Sequence, residues 1–370
     1  MSETHEHRSF GVEEEYLLLD LATGLPSNRA EELIQKTRNQ EPEREFLLSQ
    51  LETATPVCRN SEDALQSLQG FRAKVAAAAA AQNIVLAGTG LPPVGGETAG
   101  TVTPSERYRA IASELRGAAA AQYVTGTHVH VEVADRDIGV EVLARLARWA
   151  PALLAMTANS PIWCGVDTGF ASWRHPISVA WPLRGYPPEF TDGAEYSETV
   201  ARLVESGVLL DSGVVTWSAR LSENFPTVEL RIADAQLTPD DAVAFAAIVR
   251  ALVDHAVTNV EGGAERIRYT PGIVNGAIWM AARDGVKGNL IDPATGSAMP
   301  AFDLIEQMLT SIGSELTYFG DTQLVEKYVE RLRRDGGPAS IQRERFKASG
   351  VYGLLDLYRT GSQVPLPLPG

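Results

Sequence analysis

Residues 10–20 read FGVEEEYLLLD, so three adjacent carboxylates interrupt an apolar, strand-like run. Side chains alternate across a strand. Glu13 and Glu15 therefore share one face, opposite Val12 and Tyr16, and Glu14 points the other way as a bystander. The same rule puts His128, His130 and Glu132 of TGTHVHVEV on one face, opposite Val129, Val131 and Val133. In TVELRIAD it puts Glu229 and Arg231 opposite Val228, Leu230 and Ile232. In EREFLLSQLETATP, Glu45 and Glu52 stand seven residues apart, two turns of an expected helix, and can point the same way. Carboxylates joined by a few imidazoles suit Mg²⁺ or Mn²⁺, because hard cations prefer oxygen. The candidate ligands Glu13, Glu15, Glu45, Glu52, His128, His130 and Glu229 exceed one magnesium's needs and can hold two or three ions around a polyphosphate. Any one alternating pair is explained as well by a solvated strand face. Three strands repeating the pattern point to a site.

Several elements must position these groups. TGLPSN (23–28) is turn chemistry, with a short helix expected at 29–37. A helix is expected at 61–82, with Ser61 as N-cap and Asp63 in its first turn. IVLAGTG reads as a buried strand, LPPVGGETAGTVTP as a loop, 105–121 as a helix, and about 137–158 as a helix broken or kinked near Pro151. The Gly-, Pro- and aromatic-rich stretch from SPIWCGVDTGFASWRHPIS to WPLRGYPPEF has little periodicity, as functional loops do. Thr238-Pro239-Asp240-Asp241 opens a helix to about residue 260, and the last third is mostly helical. Strands with one polar face, mixed with helices, predict an α+β fold with an antiparallel or mixed sheet, helices on one face and a ligand on the other. One catalytic domain is expected over 9–360, between a disordered tail (1–8, with His5 and His7) and a Pro-rich tail (361–370).

The net charge of −15 argues against nucleic acid or an anionic membrane as partner. No apolar stretch reads as a membrane span or signal peptide, and Cys58 and Cys164 read as reduced thiols of a cytoplasmic protein. P-loop, GxSxG and HExxH motifs are absent, and GTG (88–90) runs into Leu-Pro-Pro, which cannot open a Rossmann helix. A metal-dependent hydrolase using His128 and His130 remains an alternative, weakened because few other histidines are available.

FGVEEEYLLLD, LETATPVC, TGTHVHVEV, SPIWCGVDTGFASWRHPI and PTVELRIAD, in that order, resemble the carboxylate–amine ligase family, the glutamate–cysteine ligase type 2 or YbdK-like group. The resemblance covers about residues 9–350. It implies a glutamine-synthetase-like catalytic fold, a curved antiparallel sheet forming a funnel with helices outside. It also implies an ATP-dependent ligase that activates a carboxylate, usually the γ-carboxylate of glutamate, as an acyl phosphate and joins it to an amine. Metal ligands carry over to Glu13, Glu15, Glu52 and Glu229, with Glu45 beside them. His128, and less directly His130, lie near metal and nucleotide, and Arg231 faces the transferring phosphoryl group, so Arg231 and Glu52 are the catalytic candidates. Arg174 and Asp167, with hydrogen bonds from Ser172 and Thr168, are expected to grip an amino-acid substrate, with Arg220 as a further anion contact. SENFP (222–226) departs from the arginine-bearing version expected before TVE, which leaves the amine open. A homodimer is implied, and a phosphagen-type kinase is the alternative on the same fold.

Overall fold

A computed structural model describes residues 7–38 and 42–362. Its strands are β1 (Phe10–Asp20), β2 (Glu43–Arg44), β3 (Gln50–Ala54), β4 (Ile84–Ala87), β5 (Gly126–Glu132), β6 (Ile162–Trp163), β7 (Val166–Asp167), β8 (Ala219–Leu221), β9 (Thr227–Asp234), β10 (Asn289–Asp292) and β11 (Ser297–Pro300). Seven of them form one antiparallel sheet in the order β2-β3-β1-β5-β9-β8, with β4 also paired to β1. β6–β7 and β10–β11 are separate hairpins.

The two halves of β1 do different work. Its second half, Leu17–Leu18–Leu19, is fully buried and pairs with β4, which anchors the strand. Its first half pairs with β3 and β5 and carries the glutamates. Helix Pro239–Glu261 packs against β1 and β5, and helix Ala150–Thr157 against β9. Thr238 caps the former, accepting from the Asp241 N–H at 3.2 Å, and Pro239 opens it. That helix is long and apolar enough to cross a membrane, contrary to the sequence reading, but most of it is buried inside the protein, where an all-round apolar helix belongs.

Three further expectations change. Glu45 and Glu52 are not on a helix: Glu45 follows β2 and Glu52 lies in β3, because pairing to β1 outweighs the local helical spacing. Asn60, not Ser61, caps helix Ser61–Ala80; the Ser61 hydroxyl donates instead to Asp321 at 2.7 Å. The 105–121 segment divides into Glu106–Leu115 and Gly117–Ala120 at Arg116, which has φ 50°. The 137–158 segment is broken near Pro151 as expected, into Arg136–Leu146 and Ala150–Thr157, with Pro151 in the second helix's first turn. Residues 7 and 8 of the expected tail contact the body of the protein: His7 lies tilted against Tyr318 and edge-on to Phe319, and Arg8 pairs with Asp254 at 2.9 Å. His5 and residues 363–370 lie outside the described residues. Cys58 and Cys164 are both unpaired.

Candidate active site

Strand register assembles the polar face. Glu52 on β3 is opposite Glu15 on β1, Glu13 is opposite His128 on β5, His130 is opposite Glu229 on β9, and Glu229 is opposite Arg220 on β8. Directly opposed side chains on one face touch. The β5–β9 register shifts between Thr127 and Val129, the kind of irregularity that re-aims a side chain, here beside His128. His128 reaches Glu13 at 3.3 Å through Nδ1 and Glu15 at 3.6 Å through Nε2. His130 Nε2 lies 3.1 Å from Glu13 and 3.9 Å from Glu229, and its Nδ1 is 3.0 Å from the Thr227 hydroxyl. Among the described residues, two groups bring their ligand atoms within 4.8 Å of one another: Glu13–Glu52–His128 and Glu13–His130–Glu229. Of the strands that carry these two groups, β1, β5 and β9 were read correctly as strands from alternation alone and β3 was not.

Charge is unevenly compensated across this face. Burial would raise the Glu13 carboxyl, but bonds from His128 and His130 hold it far below the usual carboxylate range. Glu229 is likewise held low against burial, by Arg231 and by Arg220, whose Nε donates to it at 2.6 Å. Among the described residues no arginine bonds Glu52 in this way, and Arg231 lowers it less than its neighbours raise it. Burial and then the neighbouring charges of Glu45, Glu15 and Glu13 push it well up. Burial and Glu15 push Glu45 up to about 8. Burial, then Arg231, lowers His128, which favours the neutral imidazole that ligates metals. Carboxylates crowded this way at neutral pH fit a divalent cation.

A cavity of about 100 Å³ opens beside the carboxylates, lined by Glu15, Glu45 and His128 and by Arg174, Arg184 and Arg231. Phe46 and Trp181 also line it. Arg174 is only 4% exposed, and its Nε has no hydrogen-bond partner, as is also true of Nε of Arg184 and Arg231. Arg174 is steadied from behind by Asp234, 3.7 Å away. Asp234 in turn accepts from the Asn159 N–H (2.8 Å) and the Ser160 (2.7 Å) and Ser172 (2.8 Å) hydroxyls.

The sequence-predicted residues therefore separate. Glu13, Glu15, Glu45, Glu52, His128, His130, Glu229, Arg231 and Arg174 converge. Arg220 is committed to Glu229 and to the Gly213 and Val215 carbonyls. Asp167 is not with Arg174: it is exposed and pairs with Arg343 at 2.9 Å. Thr168 bonds the Pro161 carbonyl, and Ser172 serves Asp234. Glu14 is no bystander. It is buried in an ion pair with Arg72 and accepts from the Tyr16 hydroxyl, on the helix side of the sheet. Arg184 and Asp234 escaped the sequence reading. Arg184 sits in WPLRGYPPEF with no period to mark it, and Asp234 ends an otherwise recognised strand.

The overall architecture matches a solved glutamate–cysteine ligase from Francisella tularensis in complex with AMP, with a TM-score of 0.72 over 96% of this chain and 88% of that one, at 14% identity. At that identity the likeness defines the fold, that of the glutamate–cysteine ligases. In sequence, the model of glutamate–cysteine ligase family 2 (GCS2) matches residues 9–348, and the chain belongs to that family. A Saccharopolyspora erythraea relative provisionally named glutamate–cysteine ligase 2-1 is 38% identical over 92% of this chain and 90% of its own. A Salinispora tropica relative, provisionally named glutamate–cysteine ligase 2, is 39% identical over 92% of this chain and 91% of its own. The chain is thus an ATP-dependent carbon–nitrogen ligase of the glutamate–cysteine ligase type.

Proposed function

We propose that the protein phosphorylates the γ-carboxylate of a glutamate-like substrate with ATP and transfers the resulting acyl group to a small amine. The observation that carries this reading is the face on which Glu13, Glu15, Glu52, His128, His130 and Glu229 adjoin the cavity of Arg174, Arg184 and Arg231. Glu13, Glu52 and His128 would hold one Mg²⁺ or Mn²⁺, and Glu13, His130 and Glu229 a second, with Glu15 and Glu45 alongside. Bound there, such ions would neutralise the triphosphate and the charge that develops during transfer.

The chain's own groups do the rest. Arg174 and Arg184 orient the carboxylate substrate, with Asp234 fixing Arg174. Arg231 faces the phosphoryl group, and the wall of Phe46 and Trp181 excludes water that would hydrolyse the activated acid. A substrate carboxylate oxygen attacks the γ-phosphorus as the bond to ADP breaks. The amine nitrogen then attacks the acyl carbon, phosphate leaves, and one proton is released. A kinase would stop at a phosphorylated product and no amide.

We also read residues 9–360 as one catalytic domain, the protein as a homodimer, and its compartment as the cytoplasm, the last supported by the two unpaired cysteines. The test is incubation with ATP, Mg²⁺, glutamate and a panel of amines, followed by mass spectrometry and phosphate release. Glutamate-dependent amide is the expected product. Zinc-dependent hydrolysis that ignores ATP would overturn the reading. Light scattering reports the dimer.

A further inference from the structure

Arg220 stands on the short edge strand β8, where the register sets it opposite Glu229. Its guanidinium is divided between two kinds of partner. Nε and one terminal nitrogen donate to the Glu229 carboxylate, at 2.6 and 3.3 Å. The other terminal nitrogen donates to the Gly213 (3.1 Å) and Val215 (2.9 Å) carbonyls. All three nitrogens are thereby engaged, and Arg220 is not among the described residues that line the arginine cavity. The rigid fork of arginine can serve a carboxylate along one edge and two carbonyls along another, whereas a lysine ammonium is a point charge.

The carbonyls that Arg220 holds flank the end of the short turn Ser212–Val214, just before β8. Val215 is buried, and a buried carbonyl left unpaired is costly. The next residues are clipped to the 182–185 backbone. The Thr216 hydroxyl donates to the Pro182 carbonyl, and the Ser218 N–H to the Gly185 carbonyl at 2.7 Å. A terminal nitrogen of Arg184 donates to the Thr216 carbonyl at 3.3 Å. This backbone does not form unaided, since Leu183 has φ 63° and Gly185 φ 134°, on either side of Arg184. A bulky residue in the left-handed region persists only where its surroundings hold it there. Arg184 is therefore presented to the cavity, its Nε unpartnered, by bonds that lead back through Thr216 and Val215 to Arg220.

From this chain of contacts we infer that Arg220 is a positioning residue, tying the Glu229 end of the metal face to Arg184, which orients the carboxylate substrate. The inference rests on the ligase reading above, from which it takes the places of cation and acid. Its two consequences have opposite signs. As counter-ion of Glu229, Arg220 competes with a cation at Glu13–His130–Glu229. As the clasp on the Gly213 and Val215 carbonyls, it favours the acid. Loss of Arg220 should tighten one ligand and weaken the other, whereas a loosened fold would weaken both.

The test uses the full chain. Mn²⁺ binding is followed by electron paramagnetic resonance of the free ion, and glutamate binding by calorimetry in saturating Mg²⁺. Arg220→Met, which removes charge and fork, should tighten the weaker Mn²⁺ phase about tenfold and weaken glutamate about tenfold. Arg220→Lys keeps a charge beside Glu229 but loses the fork. It should leave Mn²⁺ binding within about twofold and still weaken glutamate about tenfold. Arg220→Lys added to Arg184→Lys should be no worse than Arg184→Lys alone, because the one residue acts through the other. Melting curves establish that each variant is folded, and Arg220→Lys with the double variant decides if Arg220→Met is not. Weakening of Mn²⁺ and glutamate together would assign Arg220 to the fold at large and overturn the inference. So would unchanged glutamate affinity in both variants, additive losses in the double variant, or a loss confined to MgATP. Failure of the unmodified protein to bind Mn²⁺ or glutamate at all would instead overturn the ligase reading on which it rests.

Discussion

Glu14→Gln removes the negative half of an ion pair in which both side chains are 1% exposed. Arg72 Nε donates to Glu14 at 3.1 Å, the Tyr16 hydroxyl donates to the same carboxylate, and Arg72 also donates to the Leu237 (2.8 Å) and Gln236 (3.0 Å) carbonyls. With glutamine, one carboxylate oxygen becomes an NH₂ that faces the guanidinium donor to donor, and the Arg72 charge remains buried without a counter-ion. Removing one partner of a buried pair costs about 3–5 kcal/mol. For a chain of 370 residues the unfolding entropy is roughly 0.8 kcal/mol/K, so the melting temperature should fall by about 4–6 °C. Scanning calorimetry in EDTA measures this without interference from bound metal. Turnover per folded molecule, well below the transition, should stay near normal, since Glu14 lies on the opposite side of β1 from the site. Adding Arg72→Met should recover part of the loss, because the orphaned charge is then gone. A Glu14→Gln variant melting within about 1 °C of the unmodified protein would refute the reasoning.

The remaining tests concern the site. Glu45 and Glu52 bind protons more tightly folded than unfolded, so metal-free stability should fall as pH rises from the ordinary carboxylate range to about 8, and Mg²⁺ should raise the melting temperature more at pH 8 than at pH 5. A metal-free melting curve that rises over that interval would contradict the clustering of charges. Arg184→Lys loses the planar fork and should raise KM for the carboxylate substrate at least tenfold with KM for ATP little changed. Asp167→Asn should change KM for that substrate less than twofold, because its carboxylate is spent on Arg343 at the surface; a tenfold rise would return it to the site.

What the sequence disclosed follows from where periodicity carries information. A strand with one buried and one working face announces itself, so Glu13, Glu15, His128, His130, Glu229 and Arg231 were legible from alternation alone. Alternation reports the side a residue faces but not what it meets there. For that reason Glu14 could be assigned correctly to the far face and still be misjudged: its partner Arg72 is 58 residues away on a helix. Glu45 and Glu52 joined the right cluster from the wrong element, since a seven-residue spacing serves a helix as well as a turn leading into a strand. In the aperiodic 161–184 segment, composition marked function without ranking residues. Asp167 and Arg174 are seven apart in one segment, yet the backbone sends one to solvent and the other under β9, where Asp234 waits.

The uneven compensation of charge also sets an order of metal binding. At Glu13–Glu52–His128, the attraction of Arg231 for Glu52 is outweighed by repulsion from Glu45, Glu15 and Glu13, which a divalent ion relieves directly. At Glu13–His130–Glu229, the Glu229 carboxylate already accepts from Arg220 and Arg231, and an ion must displace one of them or share the oxygens. Part of the Coulombic gain there replaces an existing pair, so the second site should be weaker by the worth of that charged hydrogen bond, about 1.5–3 kcal/mol, or roughly ten- to hundredfold in affinity. Titration with Mn²⁺, followed by electron paramagnetic resonance of the free ion, should then resolve two phases. Glu52→Gln should remove the tighter phase and leave the weaker. Glu229→Gln should do the reverse, and Glu13→Gln should damage both because it serves both groups. A tighter phase that survives Glu52→Gln unchanged would show that the ions do not sort by the charges drawn around them.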